Sequence, residues 1–88
     1  MYLPALAIAL SLFAGTAQAA ANCVPHLKSE QIGLDAMRER LRAEGYKIKI
    51  LKVDGNCYEL YGRDAEGKKV EIYFDTATGA PVKIHNES

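Results

Sequence analysis

The chain is 88 residues long, with 11 basic and 11 acidic side chains and no net charge. A balanced chain has no long-range field to gather a polyanion, which argues against a nucleic-acid backbone or an anionic lipid surface as its partner. At this length it forms one domain, and a core this small rarely supplies more than a few kcal/mol, so the fold calls for a staple.

The first element is not part of the fold. Tyr2 to Gly15 is almost wholly apolar and uncharged, and it leads into Thr16-Ala17-Gln18-Ala19-Ala20-Ala21, where small residues occupy the positions a signal peptidase reads. The stretch is shorter than the ~20 apolar residues of a membrane span. Residues 1–21 are therefore read as an export signal cleaved after Ala19 or Ala21, leaving no membrane attachment and a periplasmic or secreted product. No Lys or Arg follows Met1, so an uncleaved N-terminal anchor is the competing reading.

Residues 22–33 form an N-terminal arm carrying Cys23 and His26. Export permits disulfides, and Cys23 and Cys57 are the one available pair. A bond between them would close a loop of about 35 residues, worth about 4 kcal/mol in the chain-entropy model. The rival is a metal site: Cys23-Val-Pro-His26 has C-x-x-H spacing, and Cys57 and His85 would complete a tetrahedral set for zinc or copper. Against it stand the absence of a second paired spacing and a compartment that oxidises free thiols.

Leu34 to Glu44 (LDAMRERLRAE) places Leu34, Met37 and Leu41 at helical spacing, with Arg38, Glu39, Arg40 and Arg42 on the other faces. Gly33 is the expected cap, an earlier start at Ser29 is the alternative, and Gly45 follows the last turn as a C′ residue. The arginine-rich face reads as solvated.

Tyr46 to Val53 (YKIKILKV) begins as an alternating strand, but the alternation breaks between Ile50 and Leu51, which predicts a bulge near there. Asp54-Gly55-Asn56 supplies turn chemistry. Cys57 to Arg63 and Lys68 to Asp75 are the next strands, joined through Ala65-Glu66-Gly67 as a type I turn with a glycine bulge. That loop opposes Asp64 to Lys68, Gly62 to Val70, Leu60 to Ile72 and Tyr58 to Phe74, so both apolar sets land on one side, where the helix covers them. On the other face Tyr61 opposes Glu71 and Tyr73 opposes Glu59, a polar and aromatic surface left to water or to a partner. Asp75 to Gly79 turns again, and Pro81 to His85 returns as a short edge strand ahead of a tail over 86–88. The expected fold is α+β: one amphipathic helix on one face of a three- to four-stranded antiparallel meander.

A helix ending in Gly45-Tyr46, a lysine-rich strand, Cys57-Tyr58-Glu59, Asp64-x-x-Gly67 and Asp75-x-x-Thr78-Gly79 followed by Val82 together resemble the small exported PepSY domains, a group related to peptidase propeptides. The resemblance covers about Gly33 to Ile84, the expected domain runs over 34–85, and the paired cysteines also look like that group. One position departs: the family's turn usually reads Asp-Pro-x-Thr-Gly, and Thr76 stands where the proline would be. What the resemblance implies is a non-catalytic module that binds and restrains a peptidase or another protein outside the cytoplasm, with no catalytic residue to carry over.

The inventory points the same way. The chain has 2 histidines, one near each end of the mature part, and no nucleophile, histidine and acid set with a known local signature. Glu59 and Glu71 fall on the expected solvent face, where they read as cross-strand partners of lysines rather than an acid and base pair. No phosphate-binding glycine pattern occurs. The expectation is an interaction module with no cofactor, its partner face being Tyr61, Tyr73, Glu59 and Glu71 or the open sheet edge.

Overall fold

The computed structural model describes residues 21–87. The expected export signal and its cleavage points lie outside the described residues, Ala21 apart.

The arm makes a 3-10 turn at Lys28–Glu30, separate from the helix α1, Leu34–Ala43. Gly33 is its N-cap, and the Gly33 amide donates to the hydroxyl of Tyr58 at 2.7 Å, which ties the start of the helix to the sheet beneath it. The C-terminus closes as a Schellman motif: Tyr46 N donates to Leu41 O and Gly45 N to Arg42 O, with Gly45 at φ 96°. A side chain at Gly45 would be strained in that conformation and would also press on Ala65, 2.9 Å from where its Cβ would stand.

Four strands follow, β1 (Lys47–Asp54), β2 (Cys57–Arg63), β3 (Lys69–Asp75) and β4 (Pro81–Glu87), in one antiparallel meander of order β1-β2-β3-β4. The register of β2 on β3 is the expected one: Tyr58 opposes Phe74, Leu60 opposes Ile72 and Gly62 opposes Val70. Asp64 sets this hairpin, its Oδ1 accepting from the amides of Glu66 and Lys68 at 2.9 Å each. In β1 the bulge lies between Ile48 and Ile50 and projects Lys49. It sits slightly before the expected place but has the expected effect: Ile48 and Leu51 both turn inward, opposite Gly62 and Leu60, while Ile50 turns outward and stays exposed. The bulge brings the backbone of β1 close to Gly62, where a Cβ would stand 2.1 Å from the Lys47 carbonyl oxygen. Only glycine fits there.

β4 is longer than expected. It runs through Glu87, so Asn86 and Glu87 extend the edge strand where a tail was predicted. Pro81 opens it opposite Phe74, and a second irregularity leaves Val82 unpaired.

The core is a single layer between α1 and the inner sheet face. Met37 and Leu41 meet Leu51, Tyr58, Leu60, Val70, Ile72 and Phe74, with Ile32, Leu34, Tyr46 and Ile48 packed around them. Each fully buried aliphatic or aromatic side chain contributes roughly 1.5–3 kcal/mol relative to exposure. The helix packs toward β1, and on the far edge Val82 and Ile84 remain exposed.

The turn after β3 is built around the Asp75 carboxylate, whose Oδ2 accepts from Ala77 N, Thr78 N and Thr78 Oγ1 at 2.9, 2.8 and 3.1 Å. Arg40 on α1 donates to the Thr78 carbonyl at 3.0 Å and joins the helix to this turn. Thr76, the residue that departs from the family's proline, is 3% exposed and its hydroxyl oxygen has no hydrogen-bond partner among the described residues. A buried hydroxyl left unpaired costs roughly 1–3 kcal/mol. Thr76→Val is therefore expected to raise the melting temperature; a lower one would show that the hydroxyl is satisfied.

Candidate functional site

Because strand side chains alternate, every residue between the core positions faces away from α1. On this outer face β2 presents Cys57, Glu59, Tyr61 and Arg63, and β3 presents Asp75, Tyr73, Glu71 and Lys69 opposite them. β1 adds Lys47 and Lys52, which oppose Arg63 and Glu59. β4 adds Lys83 and His85, opposite Tyr73 and Glu71.

The four residues expected as a partner face are thus together on one face, but they are not equally open. Glu59 is 1% exposed and Tyr73 7%, whereas Tyr61 and Glu71 are half-buried. The expectation of a solvent-facing Glu59 and Tyr73 is corrected. The side chains close over one another: the Tyr73 hydroxyl donates to Glu71 Oε2 at 3.0 Å, Lys52 Nζ lies 3.8 Å from Glu59 Oε1, and the same ammonium stands 5.9 Å from the centre of the Tyr61 ring. A lysine does pair with Glu59, as expected, while Glu71 takes a tyrosine.

Glu59 and Glu71 behave as a pair. Burial pushes the Glu59 carboxyl above its usual range, helped by the hydrogen bond with Glu71; that same bond holds Glu71 below its own. Glu59 Oε2 is buried and has no hydrogen-bond partner among the described residues. Hydrogen bonding to Glu59 and Glu71 pushes the Tyr61 phenol well above its usual range, and burial, then Glu71, does the same for Tyr73.

The signs give a pH prediction. Glu59, raised on folding, contributes stability that is complete below the ordinary glutamate value and is lost as pH rises through its folded value. Asp75 and Glu71, lowered on folding, contribute stability that is present above their ordinary values and lost as pH falls. Glu59→Gln removes the titration, so its melting temperature should gain on the parent's as pH rises above the ordinary glutamate value of about 4. Parallel curves would show that folding does not raise the Glu59 carboxyl.

The arm seals the opposite end of this face. Cys23 and Cys57 are joined in a disulfide, and Cys57 is fully buried. His26 Nε2 meets Asp75 Oδ1 at 2.8 Å, Gln31 Nε2 donates to the His26 carbonyl, and Ile32 N donates to Thr76 O. The hydrogen bond from His26, with those from the turn amides, holds Asp75 well below the usual carboxylate range. The alternative metal set is overturned here. Both thiols are consumed by the disulfide, His26 is taken by Asp75, and His85 lies on β4 opposite Glu71. Among the described residues no three His, Cys, Asp or Glu side chains stand where they could hold a metal ion.

At the open end of the sheet lies a groove of about 580 Å³, lined by Lys47, Lys49, Tyr61, Arg63, Lys69 and Glu71 together with Ile48, Gly62 and Val70. Sequence reasoning missed it. The β2–β3 register follows from a tight turn and period-2 spacing, whereas the position of β1 on β2, which sets Lys47 against Arg63, depends on the bulge.

A general acid must come within about 3 Å of the reacting atom. Glu59 is too deeply covered to do so, and what the face offers outward is Tyr61, Glu71, Lys83, His85 and the cations of the groove. Residues 3–85 match the model of the peptidase propeptide and YPEB domain, PepSY. The chain belongs to the PepSY family. PepSY domains are generally non-catalytic, propeptide-like modules, and the match takes in α1, β1, β2, β3 and most of β4. It also reaches back into the segment expected as an export signal. No curated protein and no solved structure matches the chain.

Proposed function

We propose that this PepSY domain is an exported, non-catalytic interaction module that binds or restrains a peptidase or another envelope protein through its outer sheet face. The observation that carries this reading is the one-sided core: α1 covers one face of the meander and leaves Tyr61 and Glu71 partly accessible on the other, beside a groove. A propeptide-like module works by surface contact, and a half-exposed tyrosine offers a large rigid contact at low entropic cost. The disulfide fits an oxidising, periplasmic or secreted setting. Among the described residues no helix is long and apolar enough to cross a membrane.

Site-specific photo-crosslinking tests this directly. A photoreactive residue at position 61 should trap a partner in cells exporting the protein, and the same residue at position 39, on the exposed side of α1, should not. Equal trapping at both positions, or trapping only from the helix, would remove the outer face as the docking surface.

A further inference from the structure

We propose that the groove at the open end of the sheet binds an extended acidic segment of the partner's chain. This deepens the interaction-module reading and rests on it. Three cations stand directly opposite one another on neighbouring strands: Lys47 on β1 opposes Arg63 on β2, which opposes Lys69 on β3. The bulge in β1 adds Lys49 to the groove beside them.

Like charges directly opposite on a sheet destabilise it. Among the described side chains Lys47, Lys49 and Arg63 have no carboxylate within ion-pair distance; Arg63 donates to the Gly67 carbonyl at 2.9 Å. Glu71 is the one acid in the lining, and at the far end of the row Glu87 stands at the register position opposite Lys69. The fold thus carries an electrostatic strain at one exposed place that an incoming anion would relieve.

The form of that anion follows from the surroundings. The groove crosses three strands, about 10 Å at the usual strand spacing, and it ends on β1, an edge strand with unpaired backbone groups. An extended chain can hydrogen-bond to that edge while its carboxylates meet Lys47 and Lys49, the strand-addition mode of peptide recognition. A membrane surface is a poorer fit, because the protein has no net charge and these cations are gathered in one groove rather than spread over a flat face.

The test is fluorescence anisotropy of the full mature protein with a labelled oligoglutamate peptide, an oligolysine peptide of equal length, and anionic phosphatidylglycerol vesicles. The expected result is binding of the acidic peptide alone, weakening with salt. The combined variant K47Q/K49Q/R63Q/K69Q should bind about tenfold or more weakly, since several ion pairs to the peptide are lost together. Its melting temperature should not fall, because repulsion is removed with the charges. K49Q alone, on the bulge, should weaken binding with no effect on folding. No binding of the acidic peptide, binding unchanged in both variants, or binding to vesicles in its place would overturn the inference. Trapping from position 61 that persists after such a failure would leave the module reading standing and remove only the acidic ligand.

Discussion

Replacing both cysteines in Cys23→Ala/Cys57→Ala is expected to lower the unfolding free energy by about 4 kcal/mol, the largest single effect available in this domain. The bond spans a sequence separation of 34 residues and ties the arm to the start of β2. In the chain-entropy model its value comes from the loop it closes in the unfolded chain, and native proteins of ordinary size have only about 5–15 kcal/mol in total. The arm would then be held by noncovalent contacts, among them His26 on Asp75, Ile32 on Thr76 and Gly33 on Tyr58, worth about 1 kcal/mol each for hydrogen bonds of this kind. Urea unfolding followed by circular dichroism reads the loss as a lower midpoint. A change under about 1 kcal/mol would mean that the bridge restrains little of the unfolded chain.

The second large effect is Leu41→Ala, with an expected loss of about 3 kcal/mol. Leu41 is fully buried and stands between the helix and the sheet layer of Leu51, Leu60 and Ile72. Alanine is the best helix former, so the substitution does not weaken α1 itself. Any loss therefore reports the contact between helix and sheet and the cavity left behind. Arg42→Ala, one residue along and exposed, supplies the control and should change stability by under about 0.5 kcal/mol. Similar losses at the two positions would show that α1 is held by something other than its apolar stripe.

How much of this was legible depended on the range of the forces involved. The register of β2 on β3 followed from Asp64 and Gly67 in the turn and from the period-2 spacing of Tyr58, Leu60, Ile72 and Phe74, because a one-residue slip would have split the apolar set. The helix ends were equally local: Gly33 and Gly45 are where the chain needs conformations other residues resist. The bulge was readable from the broken alternation, but its position between Ile48 and Ile50 was not, since that depends on the close approach to Gly62.

The burial of Glu59 was hidden for a different reason. Its cover comes from Lys52 on one neighbouring strand and Tyr73 on the other, so no single strand's pattern records it. The row Lys47, Arg63 and Lys69 carried a usable signal, three like charges in register, that a full strand-by-strand alignment would have exposed. The end of β4 at Glu87 left no turn residue or apolar alternation to mark it.

Everything proposed for the outer face requires that neighbouring residues of β2 serve opposite sides of the sheet. The direct measurement is the urea midpoint of two adjacent truncations, Leu60→Ala and Tyr61→Ala. Leu60 is fully buried under α1 and Tyr61 is half-buried on the other face. The expected result is a loss of about 3 kcal/mol at Leu60 and of about 1 kcal/mol at Tyr61. Equal losses, or the larger one at Tyr61, would contradict the division of the sheet into a structural face and a working one.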